Sequence, residues 1–234
     1  MKIRLSGILL LFALLFSALP MPIAAEPLEA PLSQVSFFGD STTYGLIRYI
    51  VNNDGSLGKP ITKLQRDQIL VPPDGTFYLR NLPRAMLRYQ NQTFSLKEGF
   101  EKASPQILIV TVGVNGLPTW TQDEFTAHYN RLLELIRSAT PDTRILLQSV
   151  YPVAKERTPR LKAFTADKID RMNQWIESIA KVNRLDYLDT ASVLKAADGW
   201  LDPSYHNGDG LHLNTDGFNQ VLSYIIQQLN KKGS

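Results

Sequence analysis

Residues 37–45 read Phe-Phe-Gly-Asp-Ser-Thr-Thr-Tyr-Gly. The run from Val35 to Phe38 is apolar or strand-prone, broken only by Ser36. It leads straight into Gly39-Asp40-Ser41, and from Ser41 the apolar period changes. Leu46, Ile47, Tyr49, Ile50 and Val51 supply one face of a helix over 41–52, closed by Asn53-Asp54-Gly55. A strand that ends in Gly-Asp-Ser presents the serine at its carboxyl end, at the mouth of a sheet. A nucleophile would sit there, and so would an ordinary strand-to-helix turn. The rest of the sequence decides between them.

Downstream, apolar strands alternate with amphipathic helices. Ile107 to Val112 is a continuous apolar run, as expected for a strand buried on both faces. Arg144 to Val150 and Leu185 to Leu188 read as further strands. Helices are expected after Ser95 (capped by Ser95 with Glu98 three residues on), over 122–138, over 165–181 and over 216–230. Gln68 to Val71 and Thr76 to Leu79 are short strand-like runs around the turn signal Pro72-Pro73-Asp74-Gly75. They fit a hairpin, or one strand and a loop. This alternation predicts an α/β fold with a parallel sheet covered by helices on both faces. Sites in such sheets form beyond the carboxyl ends of the strands. Phe-Phe-Gly-Asp-Ser, Thr-Val-Gly-Val-Asn-Gly (111–116) and Asp-Gly-Leu-His-Leu-Asn (209–214) all fall at that rim.

A chain of 234 residues suggests one domain. Its first 25 residues stand apart. Lys2 and Arg4 precede an apolar run over 8–19, and Pro20 to Ala25 end it in small or helix-breaking residues. This is the layout of a secretory signal peptide; the alternative is an uncleaved membrane anchor, for which the run is short. Residues 26–34 read as a Pro-rich linker, leaving 35–234 as the domain. Without Lys2 and Arg4, 23 basic residues face 22 acidic ones, a net charge near +1. No basic patch is concentrated along the chain, which argues against a nucleic-acid partner. There are no cysteines, hence no disulfides, no thiolate metal site and no lipidated cysteine. These features fit a secreted, periplasmic or cell-envelope protein. Oligomeric state is not legible.

A serine hydroxyl needs a base to become a nucleophile. Of the three histidines, His128 lies within a helix and reads as a surface or boundary residue, and His206 lies in a turn-rich loop. His212 follows Asp209 by three residues, with Gly208 and Gly210 freeing the backbone for a tight turn. At that spacing the aspartate can fix one ring nitrogen and leave the other for the serine. The same residues also fit a polar loop before the last helix. Donors for an oxyanion are the Ser41 N–H, the Asn115 amide at the end of the buried strand, and a backbone N–H near Gly75. Asn115-Gly116 and Asp74-Gly75 are also ordinary turn dipeptides.

Taken in order, these residues resemble the SGNH hydrolases, also called GDSL esterases and lipases. Gly39-Asp40-Ser41 matches the block that carries the nucleophile. Gly113-Val114-Asn115 resembles the oxyanion block, and Asp209-Gly210-Leu211-His212 matches the Asp-x-x-His block. Gly75 takes the place of the second-block glycine. Gly116 stands where that family usually has Asp after the Asn. The resemblance implies a flavodoxin-like three-layer sandwich with a five-stranded parallel sheet. It further implies ester hydrolysis through an acyl-serine, with Ser41 as nucleophile, Asp209 and His212 as base pair, and Ser41, Asn115 and Gly75 at the oxyanion hole. No metal or organic cofactor is required. The substrates it suggests are acylated carbohydrates or small esters, with Trp120 and Trp200 as sugar-stacking or core residues. One alternative is a lipase or lysophospholipase type, with the loop 114–120 lining an acyl groove. Another is a glycan-binding protein that no longer cleaves. Membrane association follows only if the first segment is retained.

Overall fold

The computed structural model describes residues 32–51, 61–157 and 159–232. The proposed leader (1–25), the linker up to residue 31 and Asn53-Asp54-Gly55 lie outside the described residues. Among the described residues no helix is long and apolar enough to cross a membrane.

The chain runs β1 (Val35–Gly39), α1 (Ser41–Val51), β2 (Ile69–Leu70), β3 (Met86–Tyr89), β4 (Gln92–Ser95), α2 (Leu96–Ala103), β5 (Ile107–Thr111), α3 (Gln122–Ala139), β6 (Arg144–Gln148), α4 (Ala166–Val182), β7 (Asp186–Leu188) and α5 (Thr215–Lys232). Five strands form one parallel sheet in the order β2-β1-β5-β6-β7. This is the flavodoxin-like order.

Strand alternation builds the layers. Phe37, Ile109 and Leu146 pack with Leu46 and Tyr49 of α1 and Phe218, Leu222 and Ile225 of α5. Their neighbours Phe38, Val110 and Leu147 point the other way, against Phe100 of α2, Leu132 of α3 and Ile176 of α4. The register sets Phe37 beside Ile109 and Ile109 beside Leu146, so each face is a continuous apolar row. Full burial of each such side chain contributes about 1.5–3 kcal/mol.

The structure differs from the sequence expectations between residues 61 and 95 and at the linker. Of the two readings for the runs around Pro72-Pro73-Asp74-Gly75, one strand and a loop holds: Ile69–Leu70 form β2, and Thr76 to Leu79 is not a strand. Phe77 and Leu79 are buried in the core, and a 3-10 segment, Leu79–Arg84, follows. The hairpin lies later, with β3 and β4 antiparallel around Gln90-Asn91, whose φ values are 46° and 61°. Gln-Asn carries this turn without the glycine that usually signals it. The linker reading extends too far, because Leu32–Gln34 form a 3-10 turn with Leu32 buried. Gln68, buried beneath it, donates to the carbonyls of Leu32 and Val35.

Candidate active site

In the order β2-β1-β5 the chain switches direction across the sheet between β1 and β5. The crevice at their carboxyl ends is where ligands of such folds bind. Ser41 follows β1, and Asn115 follows β5, so the two flank this crevice.

Gly39 and Asp40 set the serine. A Cβ on Gly39 would lie 2.0 Å from Thr43 Oγ1 and 2.5 Å from the Thr111 carbonyl, so only glycine lets α1 start this close to β5. Asp40 caps the helix. Its Oδ1 accepts from the Thr42 N–H at 3.0 Å and the Thr42 hydroxyl at 2.8 Å. Its Oδ2 is buried with no hydrogen-bond partner among the described residues. Burial pushes the Asp40 carboxyl up to about 6, against the opposing pull of the Thr42 hydrogen bonds and the nearby His212. The Ser41 N–H opens the helix, where the first amides have no intrahelical acceptor.

His212 comes from the loop before α5. The ribbon 205–214 is closed by Asn207 N–H to His212 O at 2.9 Å and Asn214 N–H to Tyr205 O at 3.0 Å. Ala154 N–H to Gly210 O at 2.8 Å pins it against the segment after β6. His212 Nε2 lies 3.0 Å from Ser41 Oγ, and Nδ1 lies 2.6 Å from Asp209 Oδ2. Asp209 Oδ1 accepts the backbone N–H of Leu211 at 2.8 Å and of His212 at 2.9 Å. Partial burial disfavours the Asp209 charge. The hydrogen bonds from the His212 ring and backbone and from Leu211 outweigh it and hold the carboxyl below the usual range. Residues 171 positions apart thus meet as a Ser-His-Asp line.

The Asn115 side chain is braced. Its Nδ2 donates to the Phe77 carbonyl at 3.0 Å, which uses one of its two N–H groups and leaves the second without an acceptor among the described residues. Gly116 has a φ of 86°, a left-handed turn where a side chain is strained. The Gly116 carbonyl accepts from the Thr119 N–H and hydroxyl, both at 3.0 Å. Arg80 covers this loop. Its guanidinium stacks 3.7 Å over the Trp120 ring and donates to Thr119 Oγ1 at 2.8 Å and Thr119 O at 3.0 Å. Sequence reasoning missed Arg80, which had only an unexplained cation in an unread segment to offer.

Gly75 does not fit the donor role expected of it. Its N–H donates to the Pro72 carbonyl at 2.9 Å, closing the Pro-Pro-Asp-Gly turn, so it is already engaged. Gly75 instead abuts Tyr44, whose ring would lie 3.0 Å from a Cβ there. The loop 114–120 opens no acyl groove, since Val114, Leu117 and Trp120 are all buried in the core. His128 packs on Trp120 with ring centroids 5.4 Å apart. Trp200 is half-buried under the Arg157 guanidinium. His206 Nδ1 accepts from the Gly208 N–H and takes no part in the line. Among the described residues no three His, Asp or Glu side chains converge to hold a metal ion.

The family model described as "GDSL-like Lipase/Acylhydrolase family" matches residues 37–219. No curated protein sequence matches the chain significantly. A GDSL-like lipase from Bacteroides thetaiotaomicron is similar in structure, with a TM-score of 0.54 at 21% identity, covering 86% of this chain and 88% of that one. So is a catalytic mutant of an acetylxylan esterase from Geobacillus stearothermophilus, with a TM-score of 0.54 at 14% identity, covering 83% and 93%. At these identities the likeness concerns the fold.

Proposed function

Since the chain belongs to the GDSL-like lipase/acylhydrolase family and is an ester-hydrolysing enzyme, we propose that it works through an acyl-serine on Ser41. The observation that carries this reading is the pair of contacts at His212: Nε2 to Ser41 Oγ at 3.0 Å, and Nδ1 to Asp209 Oδ2 at 2.6 Å.

Ser41 Oγ attacks the ester carbonyl while His212 Nε2 takes its proton. Asp209 stays ionised, fixes the tautomer with the proton on Nδ1, and stabilises the imidazolium. The carbonyl electrons move onto oxygen, held by the Ser41 N–H and the second N–H of Asn115. The C–O bond then breaks, and the imidazolium protonates the leaving alcohol. Water attacks the acyl-serine with His212 again as base and releases the acid.

The substrate class is a short acyl group, such as acetyl, on a carbohydrate or small alcohol. The cleft at Ser41, about 270 Å³, is lined by Tyr44, Gly45, Arg48, Asn207 and Leu213 beside the Ser41-His212-Asp209 line. An acetylxylan esterase with the same fold fits this class. Export through the segment 1–25 would bring the enzyme to glycans outside the cytoplasm or in the envelope.

The test is hydrolysis of p-nitrophenyl acetate, butyrate and octanoate by wild type, Ser41→Ala and His212→Ala. The expected result is turnover that falls with chain length and a loss of three orders of magnitude or more in both variants. Activity rising with chain length overturns the substrate class in favour of a lipase. Equal rates in wild type and variants overturn the mechanism. Cell fractionation tests export, which recovery in the cytoplasm alone contradicts; amino-terminal sequencing of the exported protein tests removal of 1–25, which a start at Met1 contradicts.

A further inference from the structure

We infer that Arg48 forms an anion subsite beside Ser41, so that the esters this enzyme prefers carry a carboxylate or phosphate near the scissile bond. The inference rests on the acyl-serine reading above for the position of that bond.

Ser41, Tyr44, Gly45 and Arg48 fall three, four and seven residues apart on α1, so they share one face. All four line the cleft that holds His212 and Asp209. Arg48 and Gly45 also line an adjoining hollow of about 420 Å³ that reaches Asn214 at the start of α5. The two hollows share Arg48, Gly45, Asn207 and Leu213, so a substrate held at Ser41 extends past Arg48.

Among the described residues, Arg48 donates no hydrogen bond and has no acidic partner, in contrast to Arg80 and Arg144. Among the described residues lining the two hollows, Asp209 is the one acid, and its charge is committed to His212 and two backbone amides. The uncommitted charge of the cleft is therefore the guanidinium, whose planar fork matches carboxylate and phosphate. A competing explanation is that Arg48 merely complements the carboxyl end of the α1 dipole. That role would affect stability but not ligand charge preference.

The test is calorimetric binding to the full chain carrying Ser41→Ala, which separates recognition from turnover. The probes are oligogalacturonate for carboxylate, glycerol 3-phosphate for phosphate, and neutral xylo-oligosaccharide. At least one anionic probe is expected to bind more tightly than the neutral one. Adding Arg48→Ala is expected to weaken that probe by about tenfold or more, the size of a lost charge-assisted contact, and to leave the neutral one little changed. Arg48→Lys restores only part of the loss, because it keeps the charge without the planar fork, and added salt weakens the anionic probe selectively. The probe that responds identifies the anion. Equal binding of charged and neutral probes, no binding of any probe, or no effect of Arg48→Ala overturns the inference. Hydrolysis of p-nitrophenyl acetate by wild type, scored separately, shows whether the acyl-serine reading stands or falls with it.

Discussion

Asp209 holds His212 at two points with different oxygens: Oδ2 takes the ring Nδ1–H at 2.6 Å, and Oδ1 takes the backbone N–H at 2.9 Å. Ring and backbone are thereby fixed to one carboxylate. Asp209→Asn can keep the backbone bonds through its carbonyl oxygen, but its amide cannot accept from Nδ1–H. The loop should survive while the tautomer reverses. The expected result is a kcat lower by about 10³–10⁴-fold in a folded protein whose melting temperature at neutral pH falls only by the share that the depressed Asp209 carboxyl supplies. Thermal unfolding and steady-state kinetics on the same preparation check both halves.

Asn115 joins the two halves of the crevice through Phe77, 38 positions away. Asn115→Ala removes the proposed oxyanion donor and that brace together. A kcat loss of about 10²–10³-fold is expected, with KM nearly constant, because the donor acts on charge present only in the transition state. An equal loss in KM would place Asn115 in ground-state binding instead.

Arg80 contacts the loop after Asn115 and lines neither hollow at Ser41. It stacks on Trp120 and ties Thr119, and both follow Asn115 within five residues. Exposed contacts of this kind are worth about 0.5–1 kcal/mol, so Arg80→Ala should cost a few-fold in kcat and leave KM alone. Arg80→Lys should recover little, since it loses the planar stack and the double contact to Thr119. Comparison of the two kcat values decides it.

Asp40 and Asp209 respond to pH with opposite signs. The Asp209 carboxyl is held low, so its contribution to stability is complete above the unfolded range and is lost as pH falls through the folded value. The Asp40 carboxyl is raised from 3.8 to about 6, so the folded state binds the extra proton. Its contribution is complete below 3.8 and is lost as pH rises through about 6. At neutral pH the buried charge costs about 2–3 kcal/mol. Asp40→Asn keeps the acceptor for Thr42 and removes the charge. It should therefore raise the melting temperature more at pH 7.5 than at pH 4. Denaturation at the two values, variant against wild type, gives the difference directly.

The sheet was legible because Ile107 to Val112 is an apolar run on both faces, as parallel strands require, and Val35 to Phe38 is broken only by Ser36. Ser41, Asp209 and His212 were legible because short-range spacing and chain order mark them. What failed was set by long-range contacts. Leu79 reads like part of a strand but serves the core beside α3, and Gln90-Asn91 turns a hairpin without a glycine. Gly75 looks like any free turn amide until the Pro72 carbonyl is seen to take its N–H. Arg80 gains meaning only when Trp120, forty residues on, lies beneath it.

Ser41 as nucleophile with His212 as its base is tested most directly by reaction with a fluorophosphonate followed by peptide mass spectrometry, since the serine oxygen displaces fluoride and keeps the phosphonyl group. One adduct is expected, on the peptide containing Ser41, absent in Ser41→Ala and formed far more slowly in His212→Ala. An unlabelled Ser41, or labelling at the same rate without His212, would contradict it.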